Sequence, residues 1–185
     1  MKKTAGLILC LVLLTGCFGN NKALERAMGL RAKLLSGGCS FDAQIVADYG
    51  DQVYSFSVSC TGDSAGTVTF RVTAPETIAG ITGEISGGTG KLIFDETALQ
   101  FPLLADGQVT PVSAPWLLLK TLQGGYLTSA GIEGEQIRVT IDDTYEEDAL
   151  QLDIWLDADD LPVQAEVLYD GRRILTVHVS NFIFL

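Results

Sequence analysis

A chain of 185 residues that is 47% apolar and 19% charged has enough apolar side chains for one buried core. It has too few charges for a disordered chain or a coiled coil. Its 12 Lys and Arg stand against 23 Asp and Glu, a net charge of −11, which excludes the basic footprint that nucleic acid demands. A single histidine, His178, argues against Ser-His-Asp or Cys-His catalysis and against multi-histidine zinc.

Lys2 and Lys3 precede an apolar run, Ala5 to Leu14, too short for the about 20 residues of a membrane-spanning helix. Leu14-Thr15-Gly16-Cys17 follows. A branched apolar residue, two small residues and a cysteine form the pattern cut by the bacterial lipoprotein signal peptidase. The expected organisation is a signal peptide over 1–16, a lipidated tether over 17–22 beginning at Cys17, and one domain over 23–185. Acyl chains on Cys17 would hold the protein on the extracytoplasmic face of a bacterial cell membrane, each buried methylene adding about 0.8 kcal/mol. Cleavage leaves 10 cations against 23 anions.

Cys39 and Cys60 then remain outside the cytoplasm, where disulfides persist. Cys39, Phe41, Ala43, Ile45 and Ala47 alternate with polar residues, as do Tyr54, Phe56, Val58 and Cys60. This is the period-two pattern of a β-hairpin. A two-residue turn at Tyr49-Gly50 places Ile45 opposite Tyr54, Phe41 opposite Val58, and Cys39 opposite Cys60. Directly opposed, the two cysteines are expected to form a disulfide.

The remaining elements follow in chain order. Asn20 to Leu35 is read as a helix, with Leu24, Ala27, Met28, Arg31, Leu34 and Leu35 at helical spacing and Gly37-Gly38 ending it. Strands are expected over 66–73, 76–85 (bent at glycine), 91–95 and 99–103. Ser113 to Gln123 is a second helix, apolar nearly all round, with Ser113 as N-cap, Pro115 in the first turn and Gly124-Gly125 as its stop. Strands over 136–142, 150–157, 162–169 and 173–184 complete the chain, the last two joined by an Asp170-Gly171 hairpin turn.

Motifs for chemistry are weak. Gly87-Gly88-Thr89-Gly90-Lys91 lacks the first glycine and the final Ser or Thr of a phosphate loop. Asp157, Asp159 and Asp160 open like a calcium loop, but Leu161 and Pro162 occupy the following positions. Asp142, Asp143, Glu146, Glu147 and Asp148 read as a solvated loop, and His178 as structural. No catalytic residue, metal or cofactor is expected, and no enzyme. Phe41, Ile45, Tyr54, Phe56, Phe70 and Phe94 fall on the apolar faces of their strands. Trp116 and Leu119 are placed to pack across them. The result is either a filled core or a cavity for an apolar ligand. Trp155 falls on the opposite face and is a candidate interface residue.

An N-terminal amphipathic helix, consecutive strands, a central helix and a final meander resemble the LolA/LolB lipoprotein-carrier family. Leu152-Asp153-Ile154-Trp155-Leu156-Asp157 followed by Leu161-Pro162-Val163-Gln164-Ala165-Glu166-Val167 is similar to that family's late hairpin. Asn181-Phe182 fits its closing strand. The likeness covers most of Leu24 to Phe184, and among lipid-anchored members lies nearest to clostridial relatives of the germination lipoprotein GerS. It implies an α+β, mainly β fold: an incomplete antiparallel barrel of about 9–11 strands wrapping a central helix. It also implies a Gram-positive cell envelope and a non-enzymatic role. That role would be binding an acyl chain or a lipoprotein's lipid in the half-barrel, or binding a protein partner or a second copy.

Overall fold

A computed structural model of the protein describes residues 18–95, 97–105, 108–146 and 149–185; Leu14 to Cys17, Glu147 and Asp148 lie outside the described residues. Helix α1 (Phe18–Ser36) leads into β1 (Cys39–Asp48), β2 (Val53–Gly62), β3 (Val68–Ala74), β4 (Thr82–Ser86), β5 (Thr89–Phe94) and β6 (Thr97–Pro102). A small hairpin, β7 (Leu104–Ala105) and β8 (Gln108–Val109), precedes a 3-10 turn and helix α2 (Ala114–Gly124). Five strands finish the chain: β9 (Tyr126–Glu133), β10 (Gln136–Asp142), β11 (Gln151–Leu156), β12 (Pro162–Tyr169) and β13 (Arg172–Phe184).

Eleven strands form one antiparallel sheet in the order β6-β5-β4-β3-β2-β1-β13-β12-β11-β10-β9. This order explains the central helix. The first half of the chain builds outward from β1 to one edge at β6. The second half starts at the opposite edge with β9, so the chain must cross the sheet between them. β7, β8 and α2 make that crossing, and α2 is buried on nearly every side: Ala114, Trp116, Leu117, Leu118, Leu119, Thr121 and Leu122 are all in the core. An all-round apolar helix is stable only in such a place. The sheet is not closed into a barrel, since β6 and β9 are its two ends. An incomplete barrel around a helix is thus the architecture observed, as the family resemblance implied.

Glycines set close approaches. Gly62 lies under Leu119, where an added Cβ would collide with Leu119 Cδ2. Gly90 is directly opposite Phe101, whose ring occupies the space of the missing side chain. Gly83 and Phe70 repeat the arrangement two strands away. Such glycines let an antiparallel sheet bend while an aromatic ring restores its cover.

Several expectations are corrected. α1 buries Ala23, Ala27, Leu30 and Leu34, leaving Leu24, Met28 and Leu35 exposed. Two arginines flank the buried line and fix this rotation. Arg26 pairs with Asp160 and donates to the carbonyls of Asp157 and Ala158 at 2.9 Å each. Arg31 donates to the carbonyls of Leu122 at 2.7 Å and Gly125 at 2.8 Å. The helix runs from Phe18 to Ser36, two residues before and one beyond the expected Asn20 to Leu35. Ser113 occupies the N-cap of α2 without a capping bond, its hydroxyl donating instead to the Thr110 carbonyl at 2.6 Å. The segment 75–80 is a run of turns rather than strand, and β7, β8 and β9 were not anticipated.

The first hairpin is shifted by two residues from the expected register. Asp48 Oδ1 accepts the Gly50 amide at 2.8 Å, and Tyr49 N bonds the Gln52 carbonyl at 3.0 Å. The turn therefore spans Tyr49 to Gln52, with Gly50 at φ +92°, rather than two residues. Cys39 faces Gly62, and Cys60 faces Phe41. The cysteines are diagonal neighbours on the buried face, a relation that spaces residues about 7–8 Å apart, wider than the usual disulfide span. Both are free thiols, and the expected bridge is not formed.

Candidate functional site: an apolar pocket beside the crossing helix

The aromatic face proposed from sequence is largely assembled. Phe41, Ile45, Phe56, Phe70, Trp116 and Leu119 are buried together in one core. Tyr54 and Phe94 are not part of it, at 47% and 58% exposed. Both sit at strand ends, Tyr54 beside the hairpin turn against Tyr49 and Phe94 beside the β5–β6 turn. Their faces match the core, but the apolar cover does not extend over them.

Much of the concave side is filled by α2. One cavity beside it, of about 320 Å³, lies between α2, the residues following β6 and the β10–β11 loop. Leu103, Val109, Trp116, Leu117 and Leu150 supply its apolar wall. Its polar lining includes Lys120 and Asp143, with Lys120 Nζ 3.7 Å from an Asp143 carboxylate oxygen and 5.2 Å from the Trp116 ring centroid. Asp143 also accepts the Leu150 amide at 2.8 Å, which fixes the loop over the pocket. The elements of this wall are far apart in sequence and meet because the crossing carries α2 from one sheet edge to the other.

The C-terminal end of α2, beyond the pocket, is pinned by hydrogen bonds. Besides the bonds of Arg31, Gln123 Nε2 donates to the carbonyls of Leu34 at 3.2 Å and Asp63 at 2.9 Å. The Arg31 cation thereby lies at the negative end of the α2 dipole and meets carbonyls that have no helical partner. Partial burial holds its pKa below the usual arginine value, although its range keeps it charged.

Other sequence candidates lie elsewhere. Trp155 is half-buried on the outer face, where the Arg138 guanidinium lies 5.3 Å from its ring centroid. Beside it Asp153 is buried and accepts Arg138 Nη2 at 2.6 Å and Thr140 Oγ1 at 2.7 Å. The Asp153 hydrogen bond raises the Arg138 pKa above its ordinary value. His178 is exposed on the same face, opposite Gln164 and Gln44. Asp157, read as the start of an incomplete calcium loop, accepts the amides of Asp159 and Leu161 at 2.9 Å each and shapes the loop that Arg26 clasps. A wide, open groove on the outer face, near Ser59, Thr69 and Glu84, has a mixed lining that includes the apolar Ile93 and Ile183. Asp42 there accepts Asn181 and Ser59, which lower its pKa. Among the described residues, no three His, Cys, Asp or Glu side chains are grouped to hold a metal ion, and no helix is long and apolar enough to cross a membrane.

No protein-family model matches the chain, and no curated protein matches its sequence. Among solved structures, it is similar to an uncharacterized conserved protein from Thermus thermophilus (TM-score 0.49, 12% identity, covering 88% of this chain and 87% of that one). It is also similar to a putative outer membrane lipoprotein-sorting protein domain from Vibrio parahaemolyticus (0.47, 11%, 89% and 92%). A third similar chain belongs to the complex of the CwlD amidase with the GerS lipoprotein from Clostridioides difficile (0.43, 14%, 80% and 87%).

Proposed function

We propose that the protein is a non-enzymatic lipoprotein of the bacterial cell envelope, anchored through Cys17, that holds an acyl chain in the pocket beside α2. The observation that carries this reading is the cavity itself. Its apolar wall rewards each buried methylene by about 0.8 kcal/mol, and its volume of about 320 Å³ falls at the small end of ligand sites. That size suits part of a single chain rather than a whole lipid. Lys120 and Asp143 give it a polar margin able to face a headgroup. Titration with a fluorescent palmitate analogue tests the reading. Saturable binding is expected, together with its loss in Leu103→Trp, which fills the pocket from a loop. Absence of binding, or equal binding by that variant at unchanged melting temperature, would refute it.

A second reading is favoured by one feature. β6 is a free sheet edge whose sequence, TALQFP, carries no charge, and Leu99 on it is 63% exposed. An uncharged edge is a template for pairing with another chain, which supports a protein partner or a second copy.

A further inference from the structure

We infer that Lys120 reads the headgroup of the acyl ligand, so that the pocket beside α2 takes a single-chain carboxylate, a free fatty acid, in preference to a neutral amphiphile. The inference rests on the proposed acyl pocket and names its ligand class. Of the three polar side chains lining the pocket, two are committed within the protein. The Ser113 hydroxyl donates to the Thr110 carbonyl at 2.6 Å, and Asp143 Oδ1 accepts the Leu150 amide at 2.8 Å. Lys120 is the third, an ammonium with three donors. Among the described residues its one ion pair, with Asp143 Oδ2, spans 3.7 Å, too long for a hydrogen bond. Lys120 stands four residues after Trp116 on α2, the spacing that stacks side chains on one helix face. Its Nζ lies 5.2 Å from the Trp116 ring centroid, so an acyl chain packed on Trp116 brings its head to this ammonium. The Lys120 side chain is 41% exposed and that of Asp143 12%, which makes the ammonium the more accessible end of the pair.

Charge decides the class of headgroup. Among the described residues Lys120 is the only cation lining the pocket, in a chain of 12 Lys and Arg against 23 Asp and Glu. A carboxylate is repelled by most of such a surface and accepted where a cation has donors to spare. The partly exposed pair with Asp143 contributes little, so turning Lys120 toward a ligand costs little. A charge-assisted bond to a carboxylate is stronger than the bond the same donor makes to a hydroxyl. A cationic headgroup would meet the ammonium before it met Asp143, whose carboxylate is the less accessible of the two.

The chain has two tryptophans, so Trp155→Phe leaves Trp116 as the sole reporter, in the wall of the pocket. The full chain with that change and Cys17→Ser, which removes the expected acylation site and the need for detergent, is titrated with decanoate and with decanol below their micelle and solubility limits. Each should change Trp116 emission saturably, decanoate binding about tenfold more tightly. Raising the salt concentration should narrow the gap. Lys120→Met should reverse the order, because Asp143 and the negative surface then oppose the anion unanswered, whereas Lys120→Arg should keep it. Asp143→Asn, which retains an oxygen for the Leu150 amide, should widen the gap. Decanol binding as tightly as decanoate in this background would overturn the assignment of Lys120 while leaving the acyl pocket standing. So would a preference for decanoate that survives Lys120→Met at unchanged melting temperature. Saturation by neither ligand would remove the acyl pocket and the assignment together.

Discussion

The thiols of Cys39 and Cys60 sit diagonally on the buried face of the first hairpin. Burial pushes the Cys39 thiol up from 9.0 to about 11. Cys60 is raised further, by burial first and then by the nearby charges of Asp42 and Cys39. In the unfolded chain both ionise near 9.0, so the unfolded state gives up protons that the folded state still holds. The thiols' contribution to stability is therefore complete below pH 9 and is lost as pH rises through about 11. The urea midpoint should fall across that window, and fall less in the Cys39→Ala, Cys60→Ala double variant. Iodoacetamide should leave both thiols untouched in the folded protein and modify both in urea without reductant, because a buried neutral thiol is inert. A pair that resists alkylation after unfolding would restore the disulfide expected from the sequence.

Between elements, the decisive contact is Gly62 of β2 beneath Leu119 of α2. Gly62→Ala should destabilise the protein by about 1–3 kcal/mol, the range for overpacking a filled core. Leu119→Ala should cost about 2–5 kcal/mol by leaving a cavity. The double variant should cost less than the two together, because each change relieves the other; denaturant melts of the four proteins measure the coupling. α2 was legible in the sequence because its apolar residues run around the whole helix. The late hairpins were legible because one face of each strand is buried and Asp170-Gly171 marks a turn. β9 was not: Thr128, Ser129, Ala130 and Gly131 give no strong alternation, and pairing with the adjacent β10, together with packing against α1, makes it a strand. The inward line of α1 was legible only in part: Ala27 and Leu34 belong to the expected apolar set, but Leu24 and Met28 carry a stronger apolar signal than Ala23 and drew the face away from Ala23 and Leu30. Trp116 was recognised as part of the site, whereas Leu103, Val109, Lys120 and Asp143 were not. Only the crossing of the chain brings them together, and no local spacing records it.

The whole molecule has two sheet edges in different circumstances. β9 is packed beside α1, while β6 has no strand beyond it among the described residues. Leu99→Lys places a charge on the free edge, a device that natural edges use against pairing. If the edge mediates self-association, the parent should run as a concentration-dependent dimer in light scattering and the variant as a monomer. A monomeric parent removes the homodimer reading and leaves the edge to another partner. The centre of the sheet has a different consequence. β1 pairs with β13, so Cys39 lies opposite Phe184 across almost the entire chain. Synthesis delivers the N-terminus first. β1 must therefore wait, one side already paired with β2 and the other vacant, until the last strand arrives. Loop closure over that separation makes folding slow, and the waiting edge is open to wrong partners. The rate-limiting act of folding is then the closing of a central seam by the final thirteen-residue strand, and half the sheet stands exposed until it happens.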